Sequence, residues 1–261
     1  MARSNTAYLV LSLITSSIIC TTAPETEREK NRIRQRLYAY KGPYTFLFSY
    51  PRSGNTWLRY CLEWITQRPT IERNLWGPVA WHAQFPIDLE KTPIHRVHSR
   101  DQILNNSIKA NVAVDKLIFI LRHPHETIAR DDSWRQLLKN STFKPMAYYY
   151  FDNIEFFETW PAERRLLIHY EDLIVSPRET LTRILTFLEE PLTRLDLFMQ
   201  DYEKHRQKSI ALYVGCTSKG DDILFHSKKI PLDKLQELNT WIKQTYPHLW
   251  DNYLKDHYGL S

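Results

Sequence analysis

The sequence predicts an α/β protein, a three-layer arrangement in which a parallel sheet is flanked by helices. Three apolar runs predict it: residues 44–50 (YTFLFSY), 116–121 (KLIFIL) and 165–170 (RLLIHY). Each is short, nearly continuous in apolar residues and rich in aromatic or β-branched side chains, which describes strands buried on both faces. A stretch with helical spacing follows each run. Alternation of buried strands with helices places helices on both sides of the sheet.

The chain has 261 residues, enough for one such domain with a short appendage. Hydrophobic residues make 43% and charged residues 25%, so a packed core rather than disorder is expected. The net charge of +5 is dispersed along the chain and no zinc-finger spacing occurs, which argues against a nucleic-acid partner. Three cysteines, Cys20, Cys61 and Cys216, provide neither a disulfide framework nor a metal motif. Cys61 and Cys216 read as small buried residues, with pairing in an oxidising lumen as the alternative.

Arg3 precedes an apolar run at 7–20, which gives way to Thr21-Thr22-Ala23 and a charged stretch. This is the layout of a secretory signal, too short for a comfortable transmembrane helix, so residues 1–23 read as a signal peptide or a short signal-anchor tethering the chain to a membrane. Residues 24–42 follow as a polar stem, with acids first and bases afterwards, and 43–261 form the folded domain. A secretory route is expected, Golgi lumen or secreted, or the cytoplasm if the leader is not a signal. Two Asn-x-Ser/Thr sequons, at Asn105 and Asn140, are compatible with that route.

Downstream of the first strand, Leu58, Cys61, Leu62 and Ile65 recur at helical spacing within 56–66. After the third strand, Ser176 as N-cap, Pro177 at the first helical position and Glu179 predict a capped helix, with Leu181, Ile184, Leu185 and Leu188 on its apolar face. A last amphipathic helix is expected over 232–246, burying Leu235, Leu238 and Ile242.

The unit at 44–66 is strand, tight loop, helix, with the loop Tyr50-Pro51-Arg52-Ser53-Gly54-Asn55-Thr56-Trp57. Such a turn is an anion site, because free backbone N–H groups and the positive end of the helix dipole converge there. Gly54 admits close approach of a phosphate, and Ser53 and Thr56 add hydroxyl donors. A Walker A loop needs a leading Gly and a Lys after the second Gly. Here Ser49 and Asn55 occupy those positions and the cation is Arg52, which disfavours ATP chemistry.

The loop YPRSGNTW closely resembles the 5′-phosphosulfate loop of sulfotransferases, whose forms include YPKSGTTW and FPRSGNTW. Two further segments in the right order continue the resemblance: LRHPHETIA at 121–129 is similar to the family's R-x-P-x-[DE]-x-x-x-S element, and HYEDL at 169–173 to its YEDL segment. The resemblance implies a P-loop-type fold and 3′-phosphoadenosine 5′-phosphosulfate as donor, with no metal. It implies that Arg52 contacts the leaving phosphate oxygen, that Ser53, Gly54, Asn55 and Thr56 hold the 5′-phosphate, and that Trp57 stacks on the adenine. Arg122 would bind the 3′-phosphate and Tyr170 would approach the adenine. An interior Trp or Tyr reads the same in sequence. Where the family has Ser, this chain has Arg130, a candidate phosphate contact or a solvated side chain. The family's RKGxxGDW-like closure thins to Thr217-Ser218-Lys219-Gly220-Asp221-Asp222, so Lys219 is a weaker candidate.

Sulfuryl transfer to an alcohol needs a base near neutral pH, which suits His. Residues 93–100 (PIHRVHSR) read as a short alternating strand in the place where sulfotransferases carry their catalytic His. His98 matches that position and His95 is the rival. The acceptor is expected to bear a hydroxyl, with a glycan favoured on the secretory route and residues 75–82 (LWGPVAWH) as a candidate acceptor wall. Two other function classes stay open: a P-loop kinase, and a non-catalytic nucleotide or glycan binder on the same fold.

Overall fold

The computed structural model describes residues 20–21, 26–40, 42–72, 78, 86–110, 113–130, 144–211 and 231–260. Five strands in this part form one sheet: β1 Tyr44–Ser49, β2 Thr70–Glu72, β3 Ile94–Val97, β4 Val114–Leu121 and β5 Arg165–His169. Their order is β2-β3-β1-β4-β5 and every pairing is parallel. Cys20–Thr21 and Ile87–Asp88 add a two-stranded antiparallel ribbon outside it.

Strand geometry explains how one sheet fills two cores. Successive side chains point to opposite faces. Leu47, Ile118, Ile120 and Ile168 face one layer, packed against Leu58, Leu62, Leu181 and Ile184. Phe46, Phe48, Leu117, Phe119 and Leu121 face the other, against Phe151, Ile154, Leu238 and Ile242. The first layer is built by α1 Glu27–Tyr38, α2 Asn55–Thr66, α6 Tyr170–Val175, α7 Pro177–Phe187, α8 Leu195–Gln200 and α9 Tyr202–Ala211. The second holds α3 Arg100–Ala110, α4 Pro124–Arg130, α5 Lys144–Glu158 and α10 Leu232–Thr245, followed by helical turns through Tyr258. The expected three-layer α/β architecture is the observed one.

Three local expectations shift. The segment read as a polar stem contains α1, whose Ile33 and Leu37 are buried in the core, so one face of this helix belongs to the domain. The third strand ends at His169, and Tyr170 already opens α6. Ser176 sits at the N-cap of α7 with Pro177 behind it, but its hydroxyl makes no cap bond. The reason is local: α6 runs up to Val175, and the Ser176 N–H closes that helix on Asp172 O at 2.8 Å. Cys61 is a free thiol wholly buried in the first core. Cys216, Lys219 and residues 1–19 lie outside the described residues. No helix among the described residues is long and apolar enough to cross a membrane.

Candidate active site at the carboxyl ends of four strands

In an open parallel sheet, ligands bind beyond the carboxyl ends of the strands, where the strand order reverses. Here that point lies at β1, between β3 on one side and β4 on the other. Each sequence-predicted element leaves one of four adjacent strands at that edge. The loop 50–54 follows β1, His98 follows β3, Arg122 follows β4 and Tyr170 follows β5.

The loop is bent by two left-handed residues, Arg52 at φ 68° and Gly54 at φ 88°. For Arg52 that conformation costs on the order of 1–3 kcal/mol, strain of a kind that concentrates at ligand sites. Gly54 is required for a second reason, since a Cβ there would lie 2.1 Å from Cδ2 of Tyr170. Gly54 is also the N-cap of α2 and brings no side chain to cap it, so the start of the helix faces the loop with its dipole. The Ser53 hydroxyl is buried without a hydrogen-bond partner among the described residues. A hydroxyl in that state gains from an acceptor placed in the loop.

Asn55 turns inward, its Nδ2 donating to Ser49 Oγ at 3.0 Å and to Leu47 O at 3.5 Å, which ties the helix start to the end of β1. Thr56 is half-exposed. Trp57 stacks on Tyr60 at 5.7 Å between ring centroids and meets Tyr202 edge-on, so most of its ring is packed in the protein.

Arg122 is 2% exposed, its guanidinium 4.2 Å above the Tyr170 ring and its Nη1 donating to Arg52 O at 3.2 Å. Tyr150 of α5 donates to Arg122 O at 2.6 Å. Gly54, Tyr170, Arg122 and Arg52 thus form one continuous contact. Burial of a guanidinium beside a phosphate-type loop makes a cation that an anion can use with little competition from water. Arg130 ends α4, but its side chain lies outside the described residues.

His98 stands one residue beyond β3. Its Nδ1 lies 2.9 Å from Ser49 O. A carbonyl oxygen only accepts, so Nδ1 carries the proton and Nε2 presents the lone pair. Arg96 donates to that Nε2. Burial first, then the charge of Arg96 and more weakly those of Arg59 and Arg52, push the His98 pKa down to about 3, against a smaller upward pull from Ser49 O. The imidazole is therefore neutral at physiological pH, with the loop cation close enough to act on it. His95 lies elsewhere: its ring packs 4.1 Å from Tyr44 and 5.7 Å from Phe46, inside the second core. Burial pushes its pKa down to about 4.

Chemically, this assembly offers an anion cradle, two arginines and a neutral imidazole with a defined basic nitrogen. Among the described residues no cluster suited to a metal ion is present. Two neighbours of His98 were not singled out from sequence. Gln102 was signalled by the Ser99-x-x-Gln102 pattern of a capping box, and Asn153 by an amide inside the aromatic run YYYFDNIEFF.

Residues 114–194 match the family model described as the sulfotransferase family. That segment contains Arg122, Arg130 and Tyr170, and lies downstream of the loop and His98. Among solved structures the chain is similar to the mouse sulfotransferase SULT7A1 complexed with PAP, at 16% identity over 87% of this chain and 93% of that one, with a TM-score of 0.50. It is also similar to the sulfotransferase domain of the Synechococcus PCC 7002 olefin synthase, at 21% identity over 77% and 96% with a TM-score of 0.45. A further similar structure is the sulfotransferase STF9 of Mycobacterium avium, at 12% identity over 84% and 80%, again with a TM-score of 0.45. No curated protein matches the chain. This chain has the sulfotransferase fold, and its residues 114–194 match the sulfotransferase family model.

Proposed function

We propose that the protein transfers a sulfuryl group from 3′-phosphoadenosine 5′-phosphosulfate to a hydroxyl acceptor, with a glycan or another secretory-pathway substrate favoured. One observation carries the reading: the loop, His98, Arg122 and Tyr170 leave four adjacent parallel strands at the same edge and converge there. A nucleotide with phosphates at both ends of its ribose suits two cation sites, one at Arg52 and one at Arg122. The mouse enzyme similar in fold to this chain was crystallised with PAP, the desulfated form of that donor.

In the reaction, an acceptor hydroxyl oxygen attacks sulfur while the bond from sulfur to the bridging phosphate oxygen breaks. The bonding pair goes to the phosphate, and Arg52 with the loop amides stabilises the charge that grows there. The acceptor proton passes to Nε2 of His98, which Arg96 must vacate. Ser53 and the start of α2 hold the 5′-phosphate, and Arg122, stacked on the Tyr170 ring, holds the 3′-phosphate. Burial and, after it, the arginines hold the His98 pKa low; an anionic donor offsets the arginines' share, which makes the imidazole a stronger base.

The test is transfer of labelled sulfate from the donor to a panel of glycans, tyrosine peptides and phenols. Transfer to at least one glycan is expected, and Arg52→Ala and His98→Ala each reduce it at least about a hundredfold. Donor binding without transfer to any acceptor would instead mark a non-catalytic binder.

A further inference from the structure

The base sits where regular structure ends. One residue past β3, the His98 peptide has left the sheet ladder, and its N–H and C=O need other partners or water. Both are taken by side chains from different helices. The N–H donates to Gln102 Oε1 at 2.6 Å, and the C=O accepts from Asn153 Nδ2 at 3.0 Å.

The Gln102 contact is a modified helix cap. Ser99 caps α3, its hydroxyl accepting from the Gln102 N–H at 3.2 Å. In an ordinary capping box the Gln side chain returns to the N–H of the capping residue itself. Here it reaches one residue further back and holds His98. Asn153 is more costly to keep. It is wholly buried on α5, and its Oδ1 has no hydrogen-bond partner among the described residues. A buried amide satisfied on one side only lowers stability relative to an apolar residue of similar shape, so the bond from Nδ2 to His98 is what the position supplies.

We infer that Gln102 and Asn153 are positioning residues for the His98 base, fixing its backbone so that the Nδ1–H bond to Ser49 O aims Nε2 at the acceptor. This rests on the assignment of His98 as base. The two side chains hold the two peptide groups that flank the His98 Cα, and loss of either frees one of them to rotate about a bend with no ladder to restrain it. A displacement of Nε2 by a fraction of an ångström lowers the chemical step while leaving donor binding intact.

The experiment compares Gln102→Met, Gln102→Glu and Asn153→Leu in the full chain, reading kcat, KM for the donor, the dissociation constant for adenosine 3′,5′-bisphosphate and the pH profile of kcat/KM. Gln102→Met and Asn153→Leu each lower kcat at least about tenfold, with donor KM and bisphosphate affinity unchanged within about twofold. Gln102→Glu keeps the accepting oxygen and restores kcat to within about threefold. Its carboxylate beside His98 favours the imidazolium and moves the acid limb upward in pH. Wild-type kcat in Gln102→Met and Asn153→Leu alongside an inactive His98→Ala variant overturns the inference and leaves the proposed reaction standing. Turnover by His98→Ala removes the base itself. Parallel loss of bisphosphate affinity, or an unmoved acid limb in Gln102→Glu, marks a general packing role and also overturns it.

Discussion

At Gly54 a left-handed backbone and the Tyr170 ring leave no room for a Cβ. Gly54→Ala therefore pushes Tyr170 off the loop and strains the turn, and a fall of at least about tenfold in affinity for adenosine 3′,5′-bisphosphate is expected by calorimetry. Arg122 makes a sharper prediction. Arg122→Met removes a buried cation and costs about 2–5 kcal/mol of bisphosphate affinity, while affinity for AMP, which lacks the 3′-phosphate, changes less than about threefold. Equal losses for both ligands would place Arg122 away from the 3′-phosphate. At this scale the loop was legible because its residue types must occur in a fixed order. The inward turn of Asn55 was not, because a side chain facing phosphate and one facing Ser49 read identically in sequence. Gln102 shows a subtler limit: the cap pattern is visible, but its return to His98 instead of Ser99 depends on backbone geometry.

The junction of β3 and α3 carries His98, the proposed base, and its electrostatics are set within a few residues. Arg96 donates to Nε2 and, after burial, does most to lower the His98 pKa. Arg96→Gln removes a like charge, so the imidazole binds its proton at higher pH. The acid limb of kcat/KM is then expected to move upward from a wild-type position expected well below the ordinary histidine value near 6.5. An acid limb near 6.5 in the wild type would contradict the described environment. Among the elements, the buried strands were legible from their apolar runs, and α2, α7 and α10 from their periodicity. α1 was harder, since PETEREKNRIRQR is dominated by charge and shows its buried face only through Ile33 and Leu37. Leu37→Ala is expected to destabilise the domain by about 2–4 kcal/mol in urea unfolding, a cost that a free stem would not show. α6 escaped notice because six residues directly after a strand leave too short a period to read.

Across the whole molecule, burial lowers the pKa of several histidines: His98, His123 and His169 to about 3 and His95 to about 4. Each binds a proton in the unfolded chain near pH 6.5 and resists it when folded. Stability is thus full above that pH and is lost as pH falls from about 6.5 towards 3. Thermal unfolding should show Tm falling steadily below pH 6.5, and a Tm flat between pH 7 and 5 would contradict their burial. The three-layer architecture was legible because both faces of β1 and β4 are apolar, which only a covered parallel sheet accommodates. The convergence of four strand ends was legible through motif order alone, since no sequence pattern states which strands are neighbours.

In the proposed reaction this edge holds a nucleotide with phosphates on both sides of its ribose rather than a triphosphate. Calorimetric titration with adenosine 3′,5′-bisphosphate, against Mg-ATP under the same conditions, tests it most directly. Saturable binding of the bisphosphate is expected, weakened by Arg122→Met and by Gly54→Ala, with far weaker binding of Mg-ATP. Tight Mg-ATP binding, or no heat with the bisphosphate, would contradict it.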